Sequence, residues 1–251
     1  MIDTHCHLDA PLFDHDRMAM LARSRGVGVR HWVLPAVTLA RLPKLLALQG
    51  PGVTIALGLH PIYLHQHPQD ALTQLQRWLD QVKPPLMGEI GLDHACPKPS
   101  HAAQRTLFEG QLEIAQARGL PVLLHVRKAH EQVLQALKHR AFSHGGIVHA
   151  FNGSLDQAAR YRRMGFKLGF GGMLTRPHSR KLHALARTLP ETDLVLETDA
   201  PDMPPHPHKG QRNEPALLPY VAQKLADLRG VALAQMVATT TANAQHALKM
   251  D

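Results

Sequence analysis

Disulfide chemistry has little to work with in this chain, because Cys6 and Cys96 are the only cysteines among 251 residues. Two cysteines cannot build a disulfide framework, and they read as reduced thiols of a cytoplasmic protein. Aromatic residues are also sparse, at 6 Phe, 2 Trp and 3 Tyr. Tyr63, Trp78 and Tyr161 are too dispersed to form the base-stacking platform of a single-strand binder. No uninterrupted apolar run approaches the roughly 18 residues of a membrane span, so no membrane association is expected. The opening Met-Ile-Asp-Thr-His has neither the basic nor the apolar segment of a secretory signal. Low-complexity tracts and sequence repeats are lacking, and the glycines at 145–146 and 169–172 match no phosphate-cradling loop. Nothing points to an obligate protein partner.

What remains is ordinary globular composition, 44% hydrophobic and 19% charged, which excludes wholesale disorder. Two features stand out. The 19 histidines outnumber the aromatic residues, and 28 Lys+Arg against 20 Asp+Glu give a formal charge of +8. Positive charge suits a polyanionic partner through counterion release. It is scattered rather than blocked, so charge alone does not decide the partner.

A rhythm runs through the chain. Short apolar runs occur at residues 1–5, 29–37, 53–60, 86–92, 121–126, 146–151, 166–171 and 194–198. They are rich in Val, Ile and Leu and lack strict alternation, as expected of strands buried on both faces. Helix-like segments lie between them. His101–Arg118 carries apolar Leu107, Phe108, Leu112, Ile114 and Ala115 and is stopped by Gly119 and Pro121. Ser154 is placed to cap a helix over 155–164, and residues 68–82 and 214–228 behave similarly. A helical tail at 231–250 is expected to pack outside. Eight strand–helix units in about 250 residues predict an α/β fold, a (β/α)8 TIM barrel formed as one domain over 1–251. The competing architecture is an open doubly wound sheet.

In such a barrel, functional residues gather at the C-terminal ends of the strands. His5 and His7 end the first run, two residues apart, so extended backbone turns both to one face. Glu89 interrupts the fourth run, His125 and His149 end the fifth and sixth, and Asp199 follows the eighth. Each alone could be a satisfied core polar group. Together they are hard to explain as core filling, since buried carboxylates need a partner or a metal. Four histidines and two carboxylates exceed one tetrahedral site and fit two divalent ions. The mixed donors accept Zn, Mn, Fe or Ni, and Mg less readily.

The strings Asp3-Thr4-His5-Cys6-His7-Leu8, Gly58-Leu59-His60-Pro61, Gly88-Glu89-Ile90-Gly91-Leu92-Asp93, His125-Val126-Arg127, His149-Ala150-Phe151-Asn152-Gly153 and Glu197-Thr198-Asp199-Ala200-Pro201 resemble the ordered signature of the TatD-type metal-dependent deoxyribonucleases. Ala200-Pro201-Asp202-Met203-Pro204 suggests the YjjV-like branch, and Arg212-Asn213-Glu214-Pro215 is a further match. The resemblance spans residues 1 to 215. It implies an amidohydrolase-like barrel, a divalent-metal site and phosphodiesterase or deoxyribonuclease activity on DNA. One ion would take His5, His7 and Asp199, the other His125 and His149, with Glu89 bridging.

Two cations would lower the pKa of a shared water towards about 7. Asp199 is the candidate to take its proton, or is purely a ligand. Arg127 could grip a phosphate oxygen or form a surface ion pair. His60 could contact substrate or a further metal, or stabilise the turn before Pro61. Asp93 could orient a water or a substrate hydroxyl, or cap its loop. Glu214 could hold a ligand imidazole in its tautomer or serve as a first-turn acid. Arg212 is a candidate substrate contact. With Arg176, His178, Lys181 and Lys209 it could line a polyanion path, or these could be solvated loop charges. A metal-dependent amidase, deaminase or other ester hydrolase is the alternative enzyme. An inactive nucleic-acid-binding protein is the alternative outside enzymology.

Overall fold

The apolar runs become strands because parallel neighbours and covering helices bury both their faces. The computed structural model describes residues 1–96 and 101–250. Its strands are β1 (Ile2–Asp3), β2 (His31–Pro35), β3 (Val53–Leu57), β4 (Leu86–Asp93), β5 (Val122–Arg127), β6 (Gly146–Val148), β7 (Phe166–Phe170) and β8 (Leu194–Leu196). They pair in sequence order, each neighbour parallel. The Thr4 N–H donates to Leu196 O at 3.0 Å, joining β8 to the end of β1 and curling the sheet into a barrel. The helices are α1 (Arg17–Gly26), α2 (Leu42–Leu46), α3 (Ala71–Val82), α4 (His101–Arg118), α5 (His130–His139), α6 (Leu155–Arg163), α7 (Arg180–Thr188), α8 (Leu218–Arg229) and α9 (Leu233–Leu248). Sequential strand order is that of the (β/α)8 barrel and excludes the doubly wound sheet, whose order reverses at a switch point.

Six strands, β1, β2, β3, β6, β7 and β8, are shorter than the apolar runs that announce them. β1, β6 and β8 stop at Asp3, Val148 and Leu196, before the functional residues begin. Ala150 and Asp199 take positive φ, 45° and 59°, which is costly for a residue other than glycine. The backbone leaves the ladder there, and new bonds replace it. The Asp199 N–H donates to His5 O at 2.9 Å and the His7 N–H to Ala200 O at 2.8 Å. The ends that carry chemistry are thus braced against each other.

Helix starts follow local chemistry. The Ser154 side chain accepts from the Gln157 N–H, and Gln157 reaches back to the Ser154 N–H, a reciprocal cap on α6. The segment expected as one helix over 214–228 divides into a 3-10 turn, Pro215–Leu217, and α8, with Pro219 in its first turn where a missing N–H costs nothing.

The tail differs from expectation. Rather than lying only outside the barrel, α9 sets Ala244, Ala247 and Leu248 against Ile2, Val33, Ala56, Leu86, Leu123, Ile147 and Val195. These are residues of seven strands, and α9 plugs the barrel floor they form. The larger core lies between strands and outer helices, around Trp32, Phe108 and Phe166.

Candidate metal centre

At the other end of the barrel, loop and strand ends bring seven side chains to one place. His5 and His7 follow β1, His60 follows β3, Glu89 lies in β4, His125 in β5, His149 follows β6 and Asp199 follows β8. Nε2 of His5 and Nε2 of His7 are 3.2 Å apart. Both are 3.6 Å from Asp199 Oδ1, and they are 3.1 and 3.6 Å from Glu89 Oε2. The other oxygen, Glu89 Oε1, meets His60 Nε2 at 3.2 Å and His125 Nδ1 at 2.9 Å. One buried carboxylate therefore faces two pairs of imidazoles. His149 stacks on His5 with ring centroids 3.7 Å apart, and its Nε2 is 3.7 Å from Asp199 Oδ2.

A layer of buried acids sets these rings. His149 Nδ1 lies 2.9 Å from Glu197 Oε1, which also accepts from the Ala150 N–H at 2.6 Å. Gly169 makes the room, since a Cβ there would stand 2.2 Å from Glu197 Oε2. Fully buried Asp3 accepts from the Thr198 N–H at 2.9 Å and from the Thr198 hydroxyl at 2.5 Å, tying the end of β1 to the turn that carries Asp199. Asp93 accepts from the Ala95 and Cys96 N–H groups at 2.8 and 3.2 Å and lies 3.0 Å from His125 Nε2. It both caps its loop and meets an imidazole. Asp3 and Glu197 had no role assigned from the sequence. The signal for both was an acid set in a buried apolar run, where a carboxylate needs donors.

Electrostatics divides the cluster. Burial would raise the Glu89 carboxyl, but His60, His5 and His125 outweigh it and hold it well below the usual carboxylate range. Burial lowers His5 far below its ordinary value and His60 to about 4. It also depresses His149, yet Glu197 and Asp199 prevail and lift that ring to about 10. Burial pushes Asp199 up to about 6 and Asp3 to about 7.

The donors fit a divalent cation. Glu89 Oε2 is buried and accepts no hydrogen bond among the described residues, although two imidazole nitrogens lie beside it. Convergent lone pairs of this kind are satisfied by a shared cation, and imidazole with carboxylate is a usual ligand mixture. Three groups bring ligand atoms within 4.8 Å of one another: His5, His7 and Asp199; His5, Glu89 and His149; and His60, Glu89 and His125. These groupings place His60 with His125 and His149 with His5, where the resemblance implied His125 with His149.

The family described as TatD related DNase matches residues 2–249. The chain belongs to the TatD family. The metal-dependent hydrolase YjjV of Escherichia coli, itself described as uncharacterized, is 40% identical over 91% of this chain and 90% of its own length. Its crystal structure superposes with a TM-score of 0.92, covering 98% of this chain and 97% of YjjV. The TatD protein of Cronobacter sakazakii, named a 3'-5' ssDNA/RNA exonuclease, is 32% identical over 97% of this chain and 96% of its own. This TatD member is a metal-dependent hydrolase, and no helix among the described residues is long and apolar enough to cross a membrane.

Two clefts of about 640 and 310 Å³ open from the cluster, and His125, His149 and Asp199 line both. Arg127 lines the larger one, exposed and 3.8 Å from Asp93. Arg176 lines it too, whereas Lys181 donates to Asn152 O and His178 and Lys209 are exposed. Two expectations are corrected. Arg212 is committed to Asp16, donating at 2.8 and 2.7 Å, and to Leu12 O at 2.7 Å while resting over the Phe13 ring, and it lines neither of these clefts. Glu214 holds no ligand imidazole. It accepts from Arg23 at 3.0 and 2.6 Å, because α1 presents it a bidentate guanidinium.

Proposed function

We propose that this TatD protein hydrolyses phosphodiester bonds, with DNA as its substrate, using two divalent ions that Glu89 and the imidazoles around it would hold. One observation carries the reading: the two oxygens of Glu89 face different imidazole pairs, His5 with His7 and His60 with His125. His5, His7, Glu89 and Asp199 would hold one ion, and His60, His125 and Glu89 the other, with His149 beside Asp199. The name of the Cronobacter relative supports a nucleic-acid substrate, and the +8 charge is compatible with one.

When bound, the ions supply the positive charge that acidifies water and neutralises phosphoryl oxygens. Zn, Mn, Mg, Fe and Ni all suit the donors. The protein does the rest. Asp199, at the junction of both clefts, takes the proton of the attacking water on its carboxylate. Arg127 reaches over the larger cleft and holds a phosphoryl oxygen. Glu197 fixes the His149 ring and keeps its orientation as charge develops. No side chain needs to act as a covalent nucleophile.

The test is metal-stripped protein reloaded with Mn, Mg or Zn and given end-labelled single- and double-stranded DNA alongside amide and acyl substrates. DNA cleavage that requires metal and falls at least a hundredfold in Glu89→Gln is expected. Wild-type rates in Glu89→Gln with metal still bound overturn the mechanism. Amide cleavage without DNA cleavage transfers the site to an amidase.

A further inference from the structure

We propose that the larger cleft is a subsite for one unpaired nucleotide next to the scissile bond, with Arg176 and Asn152 holding its phosphate and Met173 and Met203 holding its base. This rests on the phosphodiesterase reading. Arginines elsewhere in the chain are largely spent on carboxylates, as Arg23, Arg41, Arg160, Arg162, Arg212 and Arg229 show. Arg176 has no such partner among the described residues, and its Nε is buried without a hydrogen bond. A guanidinium kept unpaired beside a catalytic cluster is available to an anion that it can grip through two N–H groups.

Asn152 lines the same cleft and is set in place by a chain of contacts. Its carbonyl oxygen Oδ1 lies 3.2 Å from His130 Nε2, and His130 Nδ1 lies 3.3 Å from the Tyr161 hydroxyl. Burial lowers His130 below its ordinary value, which favours the neutral ring. With Tyr161 donating to Nδ1, Nε2 carries the proton and donates to Asn152 Oδ1. The amide is thereby fixed, and its NH2 end, without an acceptor among the described residues, is free to donate to a ligand in the cleft it lines. Lys181 donates to the Asn152 backbone oxygen and holds the same turn.

The wall beyond these donors is apolar, made by Met173, Leu182 and Met203. A site for phosphate alone has no use for such a wall. Thioethers pack well on the face of a flat aromatic ring, and a nucleobase is such a ring on a phosphate-bearing sugar. At about 640 Å³ the cleft lies within the roughly 300–1,000 Å³ of small-ligand pockets. That size fits one unpaired unit rather than a base pair, so the substrate is a single-stranded end or a nucleotide drawn out of a duplex.

The experiment compares metal-loaded wild type on two single-stranded oligonucleotides, one with a normal terminal nucleotide and one with an abasic sugar there. It also measures deoxynucleoside monophosphate binding by calorimetry. Wild type is expected to favour the normal end about tenfold in kcat/KM, and Met173→Ala/Met203→Ala to erase that preference. Arg176→Ala is expected to weaken both substrates about tenfold, chiefly through KM, with partial rescue in Arg176→Lys. Cleavage that ignores the missing base, or an Arg176→Ala protein indistinguishable from wild type, overturns the subsite while leaving the phosphodiesterase reading intact. Monophosphate binding that depends on Arg176, in a protein that cuts no oligonucleotide, supports the subsite and removes the reading on which catalysis was built.

Discussion

At the scale of single residues, the acids behind the imidazoles decide how well the centre is formed. Glu197→Gln removes the charge facing His149, and a loss of 10- to 100-fold in metal affinity or activity is expected, as for other partners of ligand histidines. Metal titration of the variant checks it. His31 and His130, which are not among the candidate ligands, give a second handle. Burial lowers both from the ordinary value of 6.5, so folding favours their neutral forms. Their contribution is complete above 6.5 and fades as pH falls through the depressed values. Denaturant unfolding of the metal-free protein compares the two: His130→Asn should lose less stability from pH 7 to pH 5 than wild type does, because it lacks one depressed imidazole. An unaltered slope would remove His130 from the account. That His5, His7, Glu89, His125, His149 and Asp199 would gather in one place was legible because histidines and carboxylates ending apolar runs are anomalies that need an explanation. The fates of Arg212 and Glu214 were not, because their partners, Asp16 and Arg23, lie nearly the whole chain away and nothing local marks them.

Elements record a different division between local and distant causes. α6 could be read from Ser154 alone, because a cap is a local hydrogen-bond device. Ser154→Ala should cost about 1 kcal/mol in denaturant unfolding. β1, β6 and β8 were overestimated because apolar pattern reports burial, whereas the strand ends where backbone pairing does, and here pairing is broken to aim His5, His149 and Asp199. The plug formed by α9 was invisible for a related reason: an amphipathic tail shows that it packs, not on what. Leu248→Ala tests it, with an expected loss of about 2–5 kcal/mol because Leu248 is fully buried on the barrel floor. The ligand cluster lies at the other end of the strands, so kcat should be retained by the folded fraction. A loss below 0.5 kcal/mol would mean the floor tolerates an open end.

For the whole molecule, the metal centre and the fold share one free energy. Glu89, His5 and His149 are buried with half-buried Asp199 beside them, and a cation that binds only the folded form stabilises it. At a hundredfold excess over Kd the gain is about 2.7 kcal/mol, or a rise of roughly 5–10 °C in Tm for a chain of this length. Thermal melts with and without chelator measure it, and Glu89→Gln should blunt the rise. The barrel itself was legible from eight repeats of run and helix, since parallel strands cannot be joined without crossovers.

The floor has one last consequence. Ile2 and Leu248 belong to the same apolar cluster, so the first strand and the last helix meet at the pole opposite the clefts. A tether fixed at either end, to a bead or a carrier protein, leaves the catalytic mouth pointing outward. A short bridge between the two ends, with a new opening cut in an exposed loop, makes this chain a natural subject for circular permutation.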